Sequence, residues 1–281
     1  MQVGPQFVRA LERVEGLDAV AQPLVSLVGR VVRPRVVRNV LSGTPIGHAA
    51  HPLLTDLPIG AWTASALLDA VGGSASEPAA DLLVKAGLLA AVPTAATGLN
   101  DWSDTQGAET RVGLVHAAAN TAALVVYLMS WRARAHGHRS RGKALGLLGL
   151  GAVTVGGYLG GHLAFAKGVN VNRAAWDEGL SDWTPVLADA DLADGEHRTV
   201  DAGGTTVLLV RSGATVSAIA NTCTHMGGPL DEGTIADGCV TCPWHGSVFR
   251  LRDGGIERGP ACVTQPTFQT RIHDNQIELR S

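Results

Sequence analysis

The chain has 281 residues, 46% of them hydrophobic and only 4% aromatic, with 35 glycines and a formal charge of −3. This length makes two domains the natural expectation. The absence of a basic stripe interleaved with aromatics excludes an ordinary nucleic-acid-binding surface.

The charge is unevenly spread. Residues 1–167 carry 14 Lys+Arg and 10 Asp+Glu, whereas residues 168–281 carry 8 and 15. A mildly basic, Ala/Leu/Gly-rich front and an acidic back point to two different environments. The opening residues read as neither a signal peptide nor a twin-arginine start, because Glu12 and Glu15 fall where an apolar stretch is needed.

Residues 1–45 read as amphipathic N-terminal helices. Phe7, Leu11, Val14, Leu17 and Val20 recur at helical spacing, interrupted at Pro23 and Pro34. Arg30, Arg33, Arg35 and Arg38 form a basic run that suits either a solvated face or an interfacial helix near anionic headgroups.

Four apolar segments follow, at 52–72, 82–99, 112–131 and 144–166, and predict a four-helix, transmembrane bundle over 46–167. The last two contain no Asp, Glu, Lys or Arg and are long enough to cross about 30 Å of hydrocarbon. Asp56 and Asp69 in the first, and Lys85 in the second, argue for the alternative of a soluble bundle.

The stretch Gly47-His48-Ala49-Ala50-His51-Pro52-Leu53-Leu54-Thr55-Asp56-Leu57-Pro58, continuing through His116 and Gly160-Gly161-His162, resembles a family of small bacterial four-helix membrane domains of undefined function. The resemblance implies a multi-pass domain in a bacterial cell membrane, sometimes fused to a redox domain, and no activity.

Alternating helix direction places His51, His116 and His162 toward one membrane face, with His116 and His162 at similar depth. Such residues are a candidate haem b or transition-metal site. The alternatives are structural histidines hydrogen-bonded to helix ends, or a quinone or proton site. The Lys/Arg balance of the short flanks, together with thiols beyond those the chemistry needs, favours a cytoplasmic C-terminal domain.

Residues 168–182 are mostly polar and read as a linker. From Trp183 to Ser281 short strands alternate with turns, which predicts a small all-β domain at 183–281. Its motif is Cys223-Thr224-His225 followed by Cys242-Pro243-Trp244-His245-Gly246. Each half pairs a thiolate with an imidazole, which is ligand chemistry for two irons of unequal character. A four-cysteine zinc site from Cys223, Cys239, Cys242 and Cys262 is the alternative, but it leaves both histidines unused.

With Met226-Gly227-Gly228-Pro229-Leu230 and Ser247-Val248-Phe249 in register, these boxes resemble the Rieske family, in which two His replace two Cys on one iron of a [2Fe–2S] centre. The resemblance implies that Cys223 and Cys242 bind the iron that stays ferric, and that His225 and His245 bind the iron that cycles. Gly259-Pro260-Ala261 resembles the family's proline loop. Gly227, Gly228 and Gly246 let backbone approach the cluster and are candidates to point N–H groups at its sulfurs.

Quinol-oxidising members carry a second cysteine pair and a tyrosine hydroxyl. The matching positions here are Gly228, Trp244 and Phe249, which implies a ferredoxin-like potential in the lower part of the range of about −150 to +300 mV.

The expected function is therefore one-electron transfer between protein partners or a quinone, as an oxidoreductase component rather than a stand-alone enzyme. The bundle is an expected membrane anchor and a candidate site of exchange with a haem or metal. A Rieske oxygenase is disfavoured, since too little chain follows His245 for a catalytic domain. A redox or nitric-oxide sensor acting through a partner is the alternative from another class.

Overall fold

The computed structural model describes residues 3–177 and 179–281, and resolves them into two compact units. One comprises the chain up to Arg33 together with Ala50–Val169, and the other comprises Pro34–Ala49 together with Asn170–Ser281. The described helices are α1 (Val3–Glu12), α2 (Asp18–Val31), α3 (Arg35–Ser42), α4 (Ala50–Val71), α5 (Glu77–Trp102), α6 (Gly107–Ala135) and α7 (Arg139–Gly161), the last extended by a π-helical turn at His162–Ala166.

The N-terminal segment differs from its sequence reading. Pro23 lies inside α2. The break expected at Pro34 is present, its ring fixing φ at −58° just ahead of α3, and the other falls at the 3₁₀ turn Glu15–Leu17.

In the helical unit, small residues let aromatic rings sink between helices. A Cβ at Gly87 would lie 2.2 Å from the Trp62 indole nitrogen, and one at Gly149 would lie 2.7 Å from the Tyr127 ring. Trp62 and Tyr127 stack with ring centroids 4.1 Å apart. The Trp62 indole N–H donates to the Val84 carbonyl at 3.3 Å and the Ser65 hydroxyl to the Ala80 carbonyl at 2.9 Å, which ties α4 to α5.

Of the charges that argued against a membrane, Asp69 is paired across helices. Asp69 accepts from Arg134 and, at 2.6 Å, from Arg139, while Asp81 accepts from Arg134 at 3.0 Å and also from Arg139. Arg134's side chain is 2% exposed, so its guanidinium depends on these carboxylates for solvation. Lys85 is exposed, as is the outer apolar surface at Leu82, Leu89, Val92, Leu147 and Leu148.

Three segments among the described residues, Ser74–Trp102, Gly107–Ala135 and Arg139–Ala166, are long and apolar enough to cross a membrane. The expected count of four is not reached on that measure. Asp56, Asp69 and Pro58 dilute the apolar content of α4.

The second unit is built on two antiparallel sheets. The larger has strand order β1-β10-β9-β4-β3-β2: β1 (Thr184–Ala188), β2 (His197–Ala202), β3 (Thr205–Ser212), β4 (Thr215–Ala220), β9 (Thr267–His273) and β10 (Gln276–Arg280). The smaller has order β5-β6-β7-β8: β5 (Thr234–Ala236), β6 (Cys239–Thr241), β7 (Val248–Arg250) and β8 (Ile256–Arg258). The β9–β10 hairpin turns at Asp274-Asn275, both with positive φ, as its two-residue turn requires. Leu208, Ile219, Leu230, Val240 and Phe249 pack into one core with Cys223 and Cys242, so both cysteines are anchored from beneath by apolar contacts.

Candidate metal centre

The two Cys/His boxes fold as matched loops. The first joins β4 to β5, and the second joins β6 to β7. In each, the cysteine N–H donates to the carbonyl five residues on: Cys223 to Gly228 at 2.9 Å and Cys242 to Ser247 at 2.8 Å. In each, a glycine N–H returns to the cysteine carbonyl, Gly227 to Cys223 at 2.9 Å and Gly246 to Cys242 at 3.1 Å. Those glycines have φ of +84° and +70°, the left-handed region in which a Cβ is strained. Their N–H groups are thus engaged in closing the loops. The donors to the thiol sulfurs are instead the backbone N–H groups of His225 and Met226 at Cys223, and of Trp244 and His245 at Cys242.

The loops meet closely. A Cβ at Gly228 would stand 2.8 Å from the Cys242 sulfur and 3.0 Å from Trp244. The two positions that lack the family's second cysteine pair therefore face each other, filled by glycine and an indole. Among the described residues, none of the four cysteines is in a disulfide. Cys239 lies on β6 opposite Arg250, away from the matched loops, and Cys262 lines a small cavity beside His225 with Asn170, Asn172, Thr224 and Val263.

His225 and His245 stand edge to face with ring centroids 5.1 Å apart. His225 is 6% exposed. Burial first, and then the positive fields of His245, Arg38 and Arg173, push its imidazole down to about 3, so it is neutral at physiological pH and offers a lone pair. The hydrogen bond from the Cys223 thiol, aided by the Trp244 and His245 N–H groups, pulls Cys242 down to about 6. Two soft thiols and two imidazoles on facing loops, with a glycine where any side chain would fill the gap, fit a two-iron cluster in their chemistry.

Residues inside and outside the motif hold this site together. The Gln265 carboxamide, 2% exposed, accepts from the Thr224 N–H at 3.0 Å and donates to the carbonyls of Ala220 at 2.8 Å and Thr222 at 2.6 Å. The Thr224 hydroxyl donates to Val263 at 2.9 Å. Ser247, buried, accepts from the Ala261 N–H at 2.9 Å and so ties the second loop to the proline loop. Arg173, in the stretch that reads as linker, donates its N–H to the Thr224 carbonyl at 3.2 Å.

In the helical unit the candidate histidines separate. His51 and His116 come together with ring centroids 6.3 Å apart. Their Nδ1 atoms lie 2.9 Å from the Thr94 carbonyl oxygen and 2.8 Å from that of Gly156. His162 lies instead with its Nε2 3.4 Å from Glu12. His116 reaches α7 between Gly156 and Gly160, just before His162.

Residues 182–269 match the family model of the Rieske [2Fe-2S] domain, and residues 47–173 that of a predicted membrane protein family, DUF2231. The anthranilate 1,2-dioxygenase ferredoxin subunit of Burkholderia cepacia is 31% identical over 102 residues, covering 36% of this chain and 93% of that one. The chain belongs to the Rieske family.

Its Rieske domain is 31% identical over 94 residues to the biphenyl 2,3-dioxygenase ferredoxin component of Rhodococcus jostii, covering 34% of this chain and 88% of that one. Apoptosis-inducing factor 3 of Mus musculus is 35% identical over 91 residues, but the alignment spans 32% of this chain and only 15% of that protein. Among solved structures, the ferredoxin of carbazole 1,9a-dioxygenase from Nocardioides aromaticivorans IC177 aligns at 26% identity and a TM-score of 0.34, covering 36% of this chain and 98% of that one. A domain of this family implies a [2Fe–2S] cluster, and the membrane family accords with the apolar helices.

Proposed function

We propose that the protein is a membrane-anchored, ferredoxin-like Rieske protein that passes single electrons between redox partners. The matched Cys/His loops carry this reading. On this reading Cys223 and Cys242 are thiolate ligands of one iron and His225 and His245 imidazole ligands of the other, a role their facing loops support. The cluster supplies a one-electron couple. The chain supplies the ligands, backbone N–H donors to the ligand sulfurs, and an apolar floor that excludes water.

Trp244, 54% exposed beside His245, marks the tip that a partner would meet. Two relatives are named as ferredoxin components of dioxygenases, so the partner class is a soluble reductase on one side and an oxygenase-like acceptor on the other. Phe249 lacks the hydroxyl, and Gly228 and Trp244 the disulfide, of quinol-oxidising members. The reading therefore sets the midpoint in the lower part of the range of about −150 to +300 mV.

The helices at 46–167 are read as the anchor, with α4 as the fourth member of the bundle through its hydrogen bonds to α5. The Rieske domain at 183–281 is read as cytoplasmic. His51 and His116 are read as ties between helices, each bonded to a neighbouring helix carbonyl, rather than as haem ligands.

The test is a combined EPR and optical spectrum of the purified full chain, followed by stopped-flow mixing with a ferredoxin reductase. A Rieske signal with rapid, reversible one-electron reduction is expected. A chain that binds zinc in place of iron, or whose cluster is not reduced by any such donor, overturns the proposal. A Soret band lost in His116→Ala would overturn the reading of the bundle histidines.

A further inference from the structure

Charge gathers at one end of the helical unit. Arg132, Arg134, Arg139, Arg141 and Lys143 lie around the α6–α7 turn, and Asp69, Glu77 and Asp81 around the α4–α5 turn, so positive charge is in excess there. The Arg134 Nε donates to the Ser130 hydroxyl at 3.2 Å, while its other nitrogens bind Asp69 and Asp81. The Lys143 ammonium, with three donors, gives one of them to the Asp69 backbone carbonyl at 3.0 Å.

Beside this network lies a cavity of about 100 Å³, whose lining includes Trp62, Ala66 and Asp69 of α4, Tyr127 of α6, and Lys143 and Leu147 of α7. Tyr127 is 1% exposed, yet its hydroxyl has no hydrogen-bond partner among the described residues. The other hydroxyl in the wall, that of Ser65, donates to the Ala80 carbonyl at 2.9 Å. A buried hydroxyl left unpaired calls for an acceptor that the chain itself does not supply. The lining is polar at Asp69 and Lys143 and apolar at Leu147, which is exposed together with Leu148, so the cavity reaches the outer apolar surface. Its volume narrows what fits. An apolar cavity of roughly 150 Å³ holds a benzene ring, so this smaller one takes a compact headgroup rather than a substituted ring such as a quinone's.

We propose that this cavity binds the phosphate of an anionic phospholipid, with the Tyr127 hydroxyl and the Lys143 ammonium donating to its oxygens and the acyl chains lying along Leu147 and Leu148. Arg134 and Arg139 neutralise the Asp69 carboxylate in the wall, and the surrounding excess of positive charge selects a headgroup with a net negative charge. The inference rests on the reading of the helices as a membrane anchor and is independent of the cluster. Binding forms no covalent bond and moves no electron.

The test is titration of the delipidated full chain, in neutral detergent, with dioleoyl phosphatidylglycerol. Binding is read by native mass spectrometry and as a rise in the denaturation midpoint. One lipid per chain should be held, about fivefold tighter than dioleoyl phosphatidylcholine. Tyr127→Phe removes only the unpartnered hydroxyl, so it should keep the lipid-free midpoint and weaken phosphatidylglycerol binding about three- to tenfold. Ala66→Leu fills the cavity and should abolish binding. Tyr158→Phe removes the chain's other phenol hydroxyl, which lies outside the cavity, and should bind as the wild type does.

Unchanged affinity in Tyr127→Phe overturns the inference. If that variant does not fold, lipid retained by Ala66→Leu overturns it instead. Equal affinity for phosphatidylcholine or decylubiquinone would show a general apolar groove, and equal affinity for inorganic phosphate would show a free-anion site; each overturns the assignment. A chain that stays in solution without detergent fails the membrane reading itself, and the proposal falls with it.

Discussion

Replacing Gln265 by methionine keeps the side chain's volume but removes every polar atom. The buried carboxamide makes three hydrogen bonds to the backbone around the first cluster loop, at 3.0, 2.8 and 2.6 Å. Gln265→Met leaves the Thr224 N–H and the Ala220 and Thr222 carbonyls without that partner. Each such buried group costs about 1–3 kcal/mol, so three give about 3 kcal/mol at the lower bound. For a domain of about 100 residues, 1 kcal/mol moves Tm by about 4–8 °C, which places the expected fall at about 12–24 °C. The assay is thermal bleaching of the cluster chromophore, with far-UV circular dichroism in parallel, at one scan rate. Bleaching should precede the loss of β-structure, because the damage is local to Thr222–Thr224. An apparent Tm within about 3 °C of the wild type would refute the reasoning, since it would mean that water or a loop shift satisfies all three groups.

Three other outcomes follow from named contacts. Gly228→Ala places a methyl 2.8 Å from the Cys242 sulfur, and should abolish iron incorporation, read by iron analysis, while the β-sheet spectrum survives. Arg134→Met strips a guanidinium with a 2% exposed side chain from Asp69 and Asp81; with Arg139 still present, the loss should be about 3 kcal/mol, read as a lower denaturation midpoint in detergent. The hydrogen bond from Arg250 holds the exposed Asp253 carboxyl down at about 2 against an ordinary 3.8, so its contribution is complete above about pH 4 and fades as pH falls toward 2. Asp253→Asn should therefore flatten the acid limb of the domain's stability profile in that window and leave the neutral region little changed.

How much of this was legible in the sequence depended on how far each residue acts along the chain. The helical front and all-β back were legible because hydrophobic periodicity is local. The Cys/His boxes were legible because each is only three or four residues long, and their loops close through hydrogen bonds spanning four or five positions. The histidines of the bundle were visible as residue types but not as partners, because packing phase decides which rings meet. His116 turned to His51, and His162 to Glu12.

By itself, the sequence determined the two-part character of the chain, the ligand set on offer and the absence of a second cysteine pair, because these reside in composition and short-range spacing. Tertiary structure alone decided what surrounds the site. Gln265 acts on Thr224 across 41 positions, and Asn39 reaches Gly259 across 220. Nothing local singles out a glutamine or an asparagine for such a role. Arg38 shows the same limit most plainly. In sequence it is one of four similar arginines, and only the packing of α3 removes it from water.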